Sequence, residues 1–191
     1  MVCLAEALGR YLRFEFARDP LHEPPDAGHL EIQQLVLRLG RVAGFDDRRI
    51  ELPGHSGTGW TDVAFVKRAA RVLLLIECVN TFGDVGASLR SGDRKLADAL
   101  QLAAALGGDD GPFQIGVCWV VRDTARNREL LRRYEDLFAA RFTGSSRDWV
   151  QAISKGGPIP REPGLIWCDA RATRLFAWRR REKAAASVAG G

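Results

Sequence analysis

Residues 72–76, Val-Leu-Leu-Leu-Ile, form an unbroken apolar run that ends on an acid, Glu77. Such a run marks a strand covered on both faces, so the chain must supply a layer to each side of it. Upstream, Thr61-Asp62-Val63-Ala64-Phe65 reads as a second strand, with Lys67-Arg68-Ala69-Ala70-Arg71 as the turn between them. A hairpin symmetric about Ala69-Ala70 pairs Lys67 with Val72 and sets Asp62 opposite Glu77. Opposed residues share a face, with Cβ atoms about 4.5–5.5 Å apart. Two acids placed this way repel, and an acid in a central strand is rarely buried without a partner. A divalent cation is one remedy, since Mg²⁺ is held by one or two carboxylates plus water and phosphate oxygens. The plainer alternatives are Asp62 opening its strand as a capping or turn residue, and Glu77 paired with an arginine from a neighbouring helix.

The rest of the chain supplies the layers. Leu4, Leu8, Tyr11, Leu12 and Phe16 give a helix over 4–16, which Pro20, Pro24 and Pro25 break. A helix over 29–43 carries Ile32, Leu35, Val36, Leu39 and Val42 on one face and stops at Gly44. Residues 49–52 make a short strand and 53–59 a glycine-rich loop. After the hairpin, Asp84 caps a helix to Leu106 with Val85, Leu89, Leu96, Leu100 and Ala103 inward. Residues 113–121 read as a buried strand. Asp123 or Thr124 then caps one helix to Phe142, with Leu130, Leu131, Tyr134, Leu137, Phe138 and Phe142 on one face. A helix over 147–153 and strands over 165–168 and 174–178 close the chain. The expectation is a mixed α/β fold with a central sheet flanked by helices. Its domain spans 29–180, after an N-terminal helix and Pro-rich linker (1–28) and before a disordered basic and Ala/Gly tail (181–191).

Several classes fall away. No apolar run approaches the ~18 residues of a membrane span. Glu6, Arg10, Arg13 and Glu15 rule a signal peptide out of the first sixteen residues, so a cytoplasmic location is expected. Cys3, Cys78, Cys118 and Cys168 show no CxxC spacing; the last three read as small core residues, not as a zinc site. His22, His29 and His55 lie in polar stretches and read as surface residues. Of the net charge of +4, the stretch 179–183 carries +3. That tail can hold phosphate or simply be solvated, and the body of the chain has little electrostatic footprint for nucleic acid. Trp149, Trp167 and Trp178 read as core or domain-edge packing, or as exposed anchors for a protein partner.

Asp62, then Ile76-Glu77-Cys78-Val79, Gly83-Asp84-Val85 and Leu89-Arg90-Ser91-Gly92-Asp93-Arg94-Lys95, resemble the PD-(D/E)XK restriction-endonuclease-like superfamily. The resemblance is to actinobacterial members often fused to helix-turn-helix domains, and it covers about residues 29–180. Asn127-Arg128-Glu129-Leu130-Leu131 and residues 164–178 are similar to that group as well. The resemblance implies a mixed sheet in an αβββαβ order and Mg²⁺- or Mn²⁺-dependent cleavage of DNA. It makes Asp62 and Glu77 metal ligands and adds the backbone carbonyl of Cys78. Three departures stand out. The motif lysine is Val79, which shares the face of Glu77 about 6–7 Å further on. The glutamate often found on the first core helix corresponds to Gln34, with Gln33 and Glu31 as neighbours. No helix-turn-helix module precedes the domain.

Some members of that superfamily take the lysine from elsewhere, and Lys95 is the candidate here; its plain reading is a solvated helix charge. A lysine near both acids would steady the attacking water and the growing phosphate charge, and losing such a donor costs ~10²–10³ in rate. Two functions therefore compete. One is a DNA nuclease using Asp62, Glu77 and Lys95. The other is a non-catalytic module that keeps the fold and binds nucleic acid or a protein partner.

Overall fold

The computed structural model describes residues 27–45, 47–53 and 60–178, and the side chains of 27–45 and 61–178. The helix expected over 4–16 and the tail over 181–191 lie outside the described residues.

Among the described residues, five α-helices and six strands follow one another as α1 (Ala27–Val42), β1 (Asp47–Pro53), β2 (Trp60–Lys67), β3 (Val72–Val79), α2 (Val85–Gly107), β4 (Gln114–Arg122), α3 (Ala125–Arg133), α4 (Glu135–Arg141), α5 (Ser146–Lys155), β5 (Gly164–Cys168) and β6 (Leu175–Ala177). The strands form one mixed sheet in the order β1-β2-β3-β4-β5-β6. β1, β2 and β3 pair antiparallel, β3, β4 and β5 parallel, and β6 returns antiparallel to β5. Val72 to Ile76 are buried throughout, as an apolar run between two paired neighbours requires.

Helices cover both faces of the sheet. On one, Ile32, Leu35 and Val36 of α1 and Trp149 and Ile153 of α5 pack on Val63, Phe65, Leu74, Ile76, Val120 and Ile166. Gly40 lets α1 approach there, since a Cβ at that position would strike the Phe65 ring. On the other face, Ala99 and Ala103 of α2 meet Ala64, Val66, Leu73 and Leu75. Beside them, Leu131, Phe138 and Phe142 enclose Phe82, Trp119, Val121 and Trp167. Cys78, Cys118 and Cys168 are buried free thiols, as expected.

Four inward assignments fail. Leu100 is 59% exposed. The buried stripe of α2 runs through Val85, Ala99 and Ala103, and Leu100 lies about 100° round from Ala99. Val42 ends α1 and is exposed. Tyr134 and Leu137 are exposed because the helix expected to run to Phe142 breaks at Tyr134 (φ −115°, ψ 34°), and its second piece restarts in a different phase. Thr124, not Asp123, is the cap, accepting from the Asn127 amide at 3.2 Å. Trp149 and Trp167 are buried, so neither can anchor an outside partner, and Trp178 is half-buried. Among the described residues no helix is long and apolar enough to cross a membrane.

Candidate metal and phosphate site

The hairpin has the register read from its turn: β2 and β3 pair from Lys67↔Val72 to Val63↔Ile76. The pairing ends there. β2 continues against β1 alone, with Thr61↔Leu52 and Trp60↔Pro53. Asp62 and Glu77 are therefore not a ladder pair, as the sequence had placed them. The Asp62 carboxylate instead fills the gap between the strands, where Oδ2 accepts the Cys78 amide at 2.7 Å. The N–H and C=O of one strand residue leave toward the same edge. The Cys78 carbonyl thus faces the gap that holds Asp62.

Glu77 ends the apolar run and is 14% exposed. Burial, and secondarily the Asp62 charge, push its carboxyl up from 4.5 to about 7, against the opposing pull of Lys95. The Lys95 amine donates to Glu77 Oε2 and is itself only 14% exposed. The solvated-charge reading of Lys95 is thus overturned. Its position follows from local packing. Asp84 starts α2, accepting from the Ala87 amide at 2.9 Å. At Gly92 the missing side chain lets the helix close on Trp119, the β4 partner of Glu77. Lys95 lies one turn further along and so comes over Glu77. Val79 packs among Phe82, Val85, Trp119 and Val121. Its apolar side chain serves the core while the amine arrives from the helix above.

Two side chains of α1 join the site unannounced by the sequence. His29, read as a surface residue, stands with Nε2 3.6 Å from Asp62 Oδ1 and is 32% exposed. Gln33 is 3% exposed and its Nε2 lies 3.0 Å from His29 Nε2. Gln34, assigned to this place, is exposed. Burial of Ile32, Leu35 and Val36 turns residue 33 inward and 34 outward. The i, i+4 spacing of His29 and Gln33 was the available signal.

Two further residues fix the frame. Arg122, at the end of β4, donates to Gly28 O at 2.8 Å, Glu31 Oε2 at 2.6 Å and Ala170 O at 2.7 Å. It thereby pins the first turn of α1, which carries His29. Asn127 is fully buried. It donates to Asn80 O at 2.9 Å and Arg122 O at 2.8 Å and accepts from the Phe82 amide at 3.2 Å. That clamp holds the backbone directly after β3.

Among the described residues no group of three or more His, Cys, Asp or Glu side chains is placed to hold a metal ion. Mg²⁺ does not require one, because it keeps several waters and takes one or two carboxylates. Asp62, Glu77 and the Cys78 carbonyl are hard oxygen donors of that type. Burial first, and the Asp62 charge second, make the ionised Glu77 carboxylate unfavourable, and a bound cation would offset both. The residues present fit a divalent ion of this kind. Comparison with known proteins returns no matching family model, no matching curated protein and no matching solved structure.

Proposed function

We propose that this chain is a PD-(D/E)XK-like nuclease domain, a phosphodiester hydrolase acting on DNA. In this reading Asp62, Glu77 and the Cys78 carbonyl hold Mg²⁺ or Mn²⁺, and Lys95 stands in for the lysine absent at position 79. The observation that carries it is the Lys95 amine on the Glu77 carboxylate. The αβββαβ order through β4, with the acids on β2 and β3, agrees with the same reading.

Each residue then has a role. A bound divalent ion supplies Lewis acidity toward a phosphoryl oxygen and a more acidic water. The Cys78 amide keeps one oxygen of Asp62 turned into the gap. Lys95 neutralises part of the charge on Glu77 and offers an ammonium toward the developing charge on phosphorus. Burial of both partners strengthens that interaction relative to water.

The second reading is a non-catalytic module that keeps this architecture and binds nucleic acid or a protein. Lys95 favours it to the extent that a salt bridge to Glu77 already satisfies the acid. Incubation of the purified chain with plasmid and single-stranded DNA, with Mg²⁺ or Mn²⁺ and with EDTA, separates the two. The nuclease reading expects cation-dependent cleavage that Asp62→Ala abolishes. Salt-dependent DNA binding without cleavage would favour the module.

A further inference from the structure

A cleft of about 590 Å³ opens between α3 and β6. Its volume is in the range that holds a small ligand. Leu131 and Trp167, both buried, form the floor. The wall is Phe176, the cross-strand partner of Trp167, and Trp178 two residues on. Both wall residues are half-buried, because the described sheet ends with β6 and supplies no further strand to cover them. Partly open aromatic faces of this kind stack on flat rings.

The rim is charged but balanced. Arg128 donates to both oxygens of Asp123, and Arg132 pairs with Glu129. With each cation already matched, the rim favours a neutral guest over a phosphate or a carboxylate. The fork to Asp123 holds the Arg128 guanidinium, a planar group that itself stacks on aromatic rings. Carboxylate and guanidinium together offer acceptors and donors. A nucleobase is flat, uncharged and carries both kinds of group on its edge. A phenyl or aliphatic side chain would leave the rim unused.

The position suits a strand that also reaches the acids. In register, Glu77 lines up with Trp119, and Val79 with Val121 and Trp167. Trp167 thus shares the face of Glu77 two strands away, with the Cα atoms roughly 12 Å apart. The three residues that follow Trp178 in the sequence, Arg179, Arg180 and Arg181, carry positive charge suited to flanking phosphates.

We propose that this cleft binds an unpaired nucleobase, stacked on Phe176 and Trp178, so that the protein takes single-stranded or locally opened DNA ahead of intact duplex. The inference deepens the reading above and rests on nucleic acid being the partner, whether or not the chain cleaves it.

The test is binding of the full chain, in EDTA, to three probes of equal length. These are a single-stranded oligodeoxythymidine, the same backbone with abasic sites throughout, and a duplex. Wild type should bind the single strand at least about 10-fold more tightly than either of the others. Phe176→Ala and Trp178→Ala should each lose about 10-fold of that affinity, with binding of the abasic backbone unchanged. Trp178→Phe, which keeps a ring, should restore most of it and guards against a folding artefact. Base-dependent binding lost in Trp178→Ala, with no cleavage when Mg²⁺ or Mn²⁺ is supplied, upholds the cleft and removes only the nuclease reading. Cation-dependent cleavage together with equal affinity for the single strand and the abasic backbone overturns the cleft and leaves the nuclease reading intact. Single-strand affinity unmoved by Phe176→Ala and Trp178→Ala also overturns it, as does failure to bind any probe, which leaves the cleft to a protein side chain.

Discussion

The β2–β3 hairpin has two unlike ends. At the turn end, Lys67 to Val63 pair continuously with Val72 to Ile76, and the residues between are apolar and buried on both faces. At the open end the pairing stops, and Asp62, Glu77, Cys78, Lys95 and His29 gather in and around the gap. The same two strands thus provide a packed core and, within a few residues, a place where charge is concentrated and backbone groups are released from the ladder. The closed end holds the acids in position; its own sequence explains only the fold.

Truncation at the closed end should give the largest effect on stability. Leu74→Ala removes a fully buried side chain from the core on the α1 face. It should cost about 2–5 kcal/mol in chemical denaturation. The rise in Tm on adding Mn²⁺ should persist in this variant. Loss of that shift with the fold retained would show that the two ends are not separable.

The open end should give the next effect, and a pH-dependent one. The folded-state value for Glu77, about 7, lies above its usual 4.5. The folded chain therefore holds this proton more tightly than the unfolded chain does. The resulting stability is complete below pH 4.5 and is lost as pH rises through 7, on the order of 3 kcal/mol in all. Glu77→Gln should flatten the fall in stability across that window relative to wild type. Saturating Mn²⁺ should flatten it too, by favouring the ionised acid. Parallel curves for wild type and Glu77→Gln would mean that burial and Asp62 do not raise the Glu77 carboxyl in the folded chain.

Asn127→Ala should have the smallest effect. It leaves the Phe82 amide and the Asn80 carbonyl without their side-chain partner, at about 1–3 kcal/mol. It should also reduce the cation-induced rise in Tm, because it loosens the backbone that follows Glu77. An unchanged shift would show that this loop is rigid without the clamp.

The difference between the two ends also explains what could be read in advance. The apolar run and the symmetric turn fix the register of the closed end, because side-chain alternation leaves one choice that buries the right face. Asp84, a capping aspartate ahead of a helical pattern, and the buried cysteines were legible for similar local reasons. The open end depends on three elements meeting. Lys95 could be named only as a candidate, since its approach needs Gly92 to let α2 close on Trp119. His29 was misread because nothing nearby in sequence shows that Arg122, over ninety residues away, pins its turn beside Asp62. The choice of Gln34 over Gln33 was an error of one residue in helical phase, which burial of the neighbouring aliphatics decides. The placement of Asp62 opposite Glu77 assumed that pairing continues to the strand end, and the parting of β2 from β3 was not visible in residue types.

The central claim is that Lys95 takes the chemical place of the lysine missing at position 79. Lys95→Met keeps the length and apolar stem of the side chain and removes the charge. The measurement is the single-turnover rate of DNA cleavage under saturating Mn²⁺, for wild type and Lys95→Met side by side. The expected result is a measurable wild-type rate that falls by about 10²–10³-fold in the variant, with Mn²⁺ affinity retained. Equal rates in the two proteins, or no cleavage by wild type with either Mg²⁺ or Mn²⁺, would contradict it.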